Sequence, residues 1–244
     1  MANSNNLEQS VQSLPLQSYY NSENFNDELK AIWQKEWIYT CHEKSIKDPL
    51  DFITLKISNY NIVILRDKNN QIVAYLNTCR HRGSILCEEE SGKLKNNLLV
   101  CKYHQWSYNA SSGNLVRTSS FEVPSNFNSE EHALEKVQLK LWNGLVFVNL
   151  DNEAKWNTES MFQDYDEIIN KVGLENFEVG HSWEKTINCN WKIFWENYSE
   201  CLMILAKLQL FVVRSFFGKI ILSAYIVLIY IPSYQSLCQY MVEE

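Results

Sequence analysis

Polar residues fill positions 1–21, and an apolar pattern begins after them. Phe25, Leu29, Ile32, Trp33 and Trp37 recur at helical spacing, which predicts one helix packing an aromatic face on a neighbour. From Asp51 the pattern turns to strands. Residues 52–57 and 61–65 alternate or run apolar with β-branched side chains, and Asp67-Lys68-Asn69-Asn70 reads as the turn after them. Residues 71–77 and 97–100 predict two further strands, and Ser111-Ser112-Gly113-Asn114 a further turn. Residues 141–150 are strongly apolar and predict one strand with Gly144 inside it. Short strands separated by turn signals predict a small all-β domain over 40–155. Met161, Phe162, Tyr165, Ile168, Ile169 and Val172 then place a helix over 160–172. A strand over 181–189 and a helix over 190–200 follow. After Glu200 the composition breaks: residues 201–244 hold no His, Trp, Asp, Asn or Thr, although all eight tryptophans and all five histidines come earlier. There is no internal repeat.

Candidate chemistry sits where two of these strands end. Cys79-Arg80-His81 follows the strand over 71–77, and Cys101-Lys102-Tyr103-His104 follows the strand over 97–100. Each pair offers one thiolate and one imidazole. Two Cys and two His in this order match the ligation of a Rieske [2Fe–2S] centre, where two imidazoles replace two thiolates on one iron and raise the reduction potential. The spacing predicts that each loop gives its Cys to the inner iron and its His to the outer one. Zinc is the competing occupant, although zinc fingers group their ligands as C-x₂₋₄-C then H-x₃₋₅-H, whereas here Cys and His alternate. The bland readings are that Trp106 packs in a core, that Cys87 is a plain buried thiol, and that His42, His132 and His181 are surface or satisfied core residues.

Composition narrows the class. A net charge of −7 argues against nucleic acid, which selects a basic face. The N-terminal residues lack the basic and apolar regions of a secretory signal. Seven scattered cysteines show no disulfide spacing, which predicts a reducing, cytoplasmic location.

The residues around the pairs add a family. Cys79-Arg80-His81-Arg82-Gly83 and Cys101-Lys102-Tyr103-His104-Gln105-Trp106 resemble the two Rieske boxes of the aromatic-ring-hydroxylating (Rieske non-haem iron) oxygenase α subunits. Asn190-Trp191-Lys192 and Glu196-Asn197-Tyr198 resemble the opening of that family's catalytic domain. The resemblance covers about residues 15–201. Respiratory Rieske proteins carry an extra disulfide-forming Cys in each box, and here those positions are Ser84 and Tyr103.

The resemblance implies an α+β chain. It would comprise an N-terminal tail and helix (1–39), an all-β Rieske domain (40–155) and the start of a helix-grip catalytic domain (156–201), ahead of an atypical tail (202–244). It implies that Cys79, His81, Cys101 and His104 bind the cluster, and that a ferredoxin or flavin reductase reduces it. It further implies O₂-dependent hydroxylation of an organic substrate at a mononuclear Fe(II), in a homotrimer whose subunits exchange electrons through an acidic residue, here Glu200. Glu at this position, where many ring dioxygenases have Asp, points to relatives that oxidise quaternary ammonium compounds, with aromatic substrates as the other option.

The family's two iron-binding histidines would fall on Met203 and Leu208, neither a plausible Fe(II) ligand. We therefore expect 202–244 to depart from family sequence. A frameshift in an AT-rich gene would explain it, and an electron carrier without oxygenase activity is the alternative function. Residues 220–242 are uncharged, but five serines and glutamines among them (Ser223, Ser233, Gln235, Ser236 and Gln239) and Pro232 weigh against a membrane anchor.

Overall fold

The computed structural model describes residues 13–119, 126–157, 166–180 and 187–196. Strands dominate. Ten of them form three antiparallel sheets: β1 (Ile38–His42), β10 (Leu145–Asn149) and β9 (Gln138–Trp142) in the order β1-β10-β9; β2 (Asp51–Ile57), β3 (Tyr60–Arg66), β4 (Ile72–Leu76) and β5 (Ser91–Lys93) in the order β4-β3-β2-β5; and β6 (Leu98–Val100), β7 (Ser107–Asn109) and β8 (Leu115–Arg117) in the order β6-β7-β8. The predicted strands over 52–57, 61–65, 71–77 and 97–100 are all present.

Alternation explains the layering. On β3 the run Ile62, Val63, Ile64, Leu65 is buried on both faces. Ile62 and Ile64 join Ile38, Ile46, Ile57, Val146 and Val148 in one core. Val63 and Leu65 join Phe52, Tyr75, Leu99, Trp106 and Tyr108 in the other, which also contains Cys79 and Cys101. The central strand of the largest sheet thus separates a purely structural core from the one that carries the ligand loops.

Three expectations are corrected. The segment over 141–150 is not one strand but the hairpin β9–β10. Asn143 (φ 47°) and Gly144 (φ 80°) form its two-residue turn, whose twin positive φ values suit the right-handed strand twist. A Cβ at Gly144 would meet His42 Nε2 at 2.6 Å, so the position also requires glycine on contact grounds. Secondly, the N-terminal helix does not run to Trp37. It consists of α1 (Gln17–Tyr20), α2 (Ser22–Glu28) and a π-turn over Leu29–Trp33. Trp37 is buried just ahead of β1, whose Ile-Tyr-Thr run favours an extended chain. Thirdly, residues 187–189 are not a strand.

A short α3 (Asp166–Val172) and a helical turn over 191–196 (α4) are present within the predicted helices. Residues 158–165, 181–186 and everything from 197 onward lie outside the described residues. The first of these helices packs Ile169 against Tyr39, Leu145 and Phe147 of the β structure, and the second docks on the N-terminal helices. His42, the buried last residue of β1, accepts from Lys44 N–H through Nδ1 and so donates from Nε2 to Leu174 O at 3.0 Å, tying β1 to the segment after α3. Glu28 accepts from Trp191 Nε1 at 2.8 Å and from the buried Lys192 Nζ at 2.6 Å, joining α2 to α4.

Candidate metal centre

Two loops of matching construction carry the four candidate ligands. The first leaves β4, holds Cys79 and His81, and returns through residues 84–87. The second connects β6 to β7 and holds Cys101 and His104. In the first, Cys79 N–H donates to Ser84 O at 2.8 Å and Gly83 N–H donates to Cys79 O at 2.9 Å. The second repeats this at the same offsets: Cys101 N–H donates to Trp106 O at 2.8 Å and Gln105 N–H to Cys101 O at 2.9 Å. Each turn closes through a left-handed residue four positions after its cysteine, Gly83 (φ 73°) and Gln105 (φ 60°). Glycine adopts that conformation freely, whereas Gln105 does so at a cost of about 1 kcal/mol.

The loops bring like with like. Cys79 and Cys101 are each 2% exposed, lie in the same core cluster, and are near enough for Cys101 to raise the pKa of Cys79. The His81 and His104 rings are half-buried and face each other edge-on, with centroids 4.7 Å apart and planes at 70°. Nδ1 of both rings is buried with no hydrogen-bond partner. Two adjacent, buried and unsatisfied imidazole nitrogens are costly unless something accepts their lone pairs. Among the described residues no three His, Cys, Asp or Glu side chains gather around a point that could hold one metal ion. A thiol beside a thiol and an imidazole beside an imidazole suit a binuclear core with two ligands per metal.

The electrostatics agree. Burial, with the neighbouring Cys101, holds the Cys79 thiol above its ordinary pKa, although Tyr108 and the His81 backbone oppose this. A buried thiol pair therefore needs bound cations to become a thiolate pair. Burial, then His104 and Arg82, lowers the His81 pKa and favours the neutral imidazole that metals bind. Burial pushes Cys87 up to about 11, in line with a structural thiol.

The surroundings hold these groups in place. Trp106 is buried and stacks on His81 at 4.7 Å with planes 11° apart, so its packing role and its contact with the site are the same interaction. Phe127 and His132 pack on Trp106 in T-shaped contacts at 6.0 and 5.5 Å. Tyr103 lies on His104 with centroids 3.8 Å apart. Arg80 pairs with Glu135, and Lys102 with Glu88 at 2.6 Å, so two exposed ion pairs flank the loops.

Sequence reasoning missed Tyr108. Its hydroxyl lies 3.2 Å from Cys79 Sγ and accepts from Arg80 N–H at 3.0 Å. Burial and the Cys79 sulfur raise its pKa, so the phenol keeps its proton and can donate to a metal-bound sulfur. Its placement as the inward residue of the short β7, between a ligand loop and a turn, was the available signal. A donor to sulfur stabilises the more negative, reduced centre. Tyr108→Phe is expected to lower the reduction potential by about 40 mV, for a loss of ~1 kcal/mol that favours one redox state. Protein-film voltammetry of both proteins checks this, and an unchanged potential would show that the hydroxyl does not sense the charge.

Glu200, the proposed electron relay, lies outside the described residues, as do His181, Met203 and Leu208. Asn190, Trp191 and Lys192 are described and anchor to the N-terminal helices: Asn190 Nδ2 donates to Tyr19 O at 3.0 Å, and Trp191 packs edge-on to Trp33 at 5.8 Å.

Loops, sheets and ligand pairs together define a Rieske [2Fe–2S] domain, and residues 36–127 match that domain family. Beyond the domain, the chain is homologous to Rieske oxygenase α subunits over about three quarters of its length. It is 31% identical over 176 residues to the 2-aminobenzenesulfonate 2,3-dioxygenase α subunit of an Alcaligenes species, which covers 71% of this chain and 44% of that protein. It is 30% identical over 191 residues to the carnitine monooxygenase oxygenase subunit of Acinetobacter pittii, covering 78% and 50%. The crystal structure of the quaternary ammonium Rieske monooxygenase CntA with L-carnitine superposes with a TM-score of 0.68 at 30% identity, covering 74% of this chain and 51% of that one. The chain spans about half the length of the curated relatives it matches. No helix among the described residues is long and apolar enough to cross a membrane.

Proposed function

We propose that Cys79 and Cys101 bind one iron and His81 and His104 the other iron of a [2Fe–2S] cluster, in the terminal oxygenase component of a Rieske oxygenase. One observation carries this assignment: the His81 and His104 rings meet at 4.7 Å, and each has a buried Nδ1 with no hydrogen-bond partner. When bound, the cluster stores and passes one electron. The chain's own part is to bury both sulfurs, hold His81 against Trp106 and direct the Tyr108 hydroxyl at Cys79.

By kinship with the relatives above, a ferredoxin or flavin reductase supplies the electrons in a reducing cytosol. The substrate is a small organic molecule, quaternary ammonium or aromatic, hydroxylated with O₂. Glu200 is the residue we assign to the electron path between subunits of a homotrimer. Met203 and Leu208, in place of the family's iron-binding histidines, favour a second reading for this chain: an electron-carrying Rieske protein without oxygenation.

Iron analysis, EPR after dithionite reduction and O₂ uptake separate the readings. A Rieske-type signal with both cluster irons is expected. Additional iron with substrate-dependent O₂ uptake, tried with carnitine-like and aromatic substrates, selects the oxygenase. The signal without O₂ uptake selects the carrier, and zinc in place of iron overturns both.

A further inference from the structure

The two ligand loops are alike at their tips but closed differently at their bases. The second loop springs from β6 and returns into β7. Those strands are hydrogen-bonded neighbours, with Val100 opposite Ser107, so the sheet ladder itself shuts the base. The first loop has no such arrangement. It leaves β4, and the returning residues 84–87 form no strand beside it. A single bridge, Thr78 opposite Ile85, is the last strand-like pairing. The backbone N–H of Asn77 is engaged on the other side, with Asn61 O at 2.8 Å.

The Asn77 side chain takes over where the ladder stops. Its Oδ1 accepts from Leu86 N–H at 3.2 Å and from Cys87 N–H at 2.9 Å. Its Nδ2 donates to Cys87 O at 2.7 Å. The residue is 2% exposed, so water does not compete for these bonds. A primary amide presents the same donor and acceptor as a backbone peptide. Here it replaces one rung of a sheet, tying the start of the loop to its end across ten positions.

We propose that Asn77 is a positioning residue for the cluster: it holds the Cys79–His81 loop closed, so that His81 stays opposite His104 and Cys79 beside Cys101. This rests on those four residues being the cluster ligands. A loop released at its base would keep the β fold but let one thiolate and one imidazole drift from the other pair.

The test uses the full chain as wild type, Asn77→Ala, Asn77→Asp and Asn149→Ala. Asn149 is a matched control: it is 1% exposed, donates to Lys35 O at 2.8 Å and accepts from Asp151 N–H at 2.7 Å, in a different sheet. Cluster loss to a chelator is followed by visible absorbance at urea concentrations below the unfolding transition, and the reduced EPR spectrum is recorded for each protein. Asn77→Ala is expected to lose its cluster at least about fivefold faster than wild type, the factor for one net hydrogen bond of ~1 kcal/mol lost, and to show shifted or broadened g-values. Asn149→Ala is expected to unfold at lower urea while keeping the wild-type spectrum and loss rate. Asn77→Asp keeps the acceptor for Leu86 and Cys87 but lacks the donor to Cys87 O, so an intermediate rate is expected; it carries the test if the alanine variant does not fold. Asn77 variants that behave like Asn149→Ala, or keep wild-type rates and spectra, overturn the proposal. A wild-type protein without a Rieske spectrum overturns the ligand assignment instead.

Discussion

Cys101→Ser is expected to purify folded but without its cluster. Iron content should fall at least about tenfold, and the Rieske EPR signal should vanish, because a serine hydroxyl is neither soft nor readily ionised and a cluster does not survive on three ligands. The fold should persist. The bonds that shape the second loop, Cys101 N–H to Trp106 O and Gln105 N–H to Cys101 O, are made by backbone and do not need the sulfur. Far-UV circular dichroism should therefore match the wild type with its cluster removed. Cys87→Ser provides the contrast. Cys87 is buried in the same core as Cys79 and Cys101, but its thiol is held protonated by burial. That variant should lose some stability and keep its iron. Retention of the cluster by Cys101→Ser, or its loss from Cys87→Ser alone, would refute the assignment of ligands.

Trp106→Ala is expected to cost about 3–5 kcal/mol of stability, as for other buried tryptophans, and to loosen the site as well. Trp106 is 7% exposed and packs in the core beneath both loops. One face of its ring meets His81 and its edges meet Phe127 and His132, so truncation opens a void beside a ligand. Trp106→Phe keeps an aromatic wall and should recover most of both effects. Urea unfolding gives the stability change, and the EPR line width reports the spread of His81 orientations. If stability falls while the line width stays at the wild-type value, Trp106 supports the core without orienting the ligand.

The strands were legible where residues alternate or cluster without ambiguity. Residues 61–65 read correctly because apolar, mostly β-branched side chains fill both faces of a buried strand, and 52–57 because it is apolar or β-branched at most positions and pairs with that strand. The hairpin at Asn143-Gly144 was not recognised, because the continuous apolar run on either side concealed a two-residue turn. Trp37 fell in register with the helix by spacing alone, although the chain had already turned extended before β1.

For the site, the sequence by itself determined the four candidate ligands and the class of metal centre they suit. Coordination needs particular atoms, and a short loop places Cys and His within a few residues of each other whatever the rest of the chain does. Tertiary structure alone decided how those atoms are grouped. It set thiol beside thiol and imidazole beside imidazole, because strand register sets how two separate loops face each other. It also brought Tyr108 to the Cys79 sulfur, Trp106 to the His81 ring and the Asn77 amide to the far end of the first loop. Each of those contacts joins residues that are distant in sequence or lie across a turn, and only the packing of the sheets makes them neighbours.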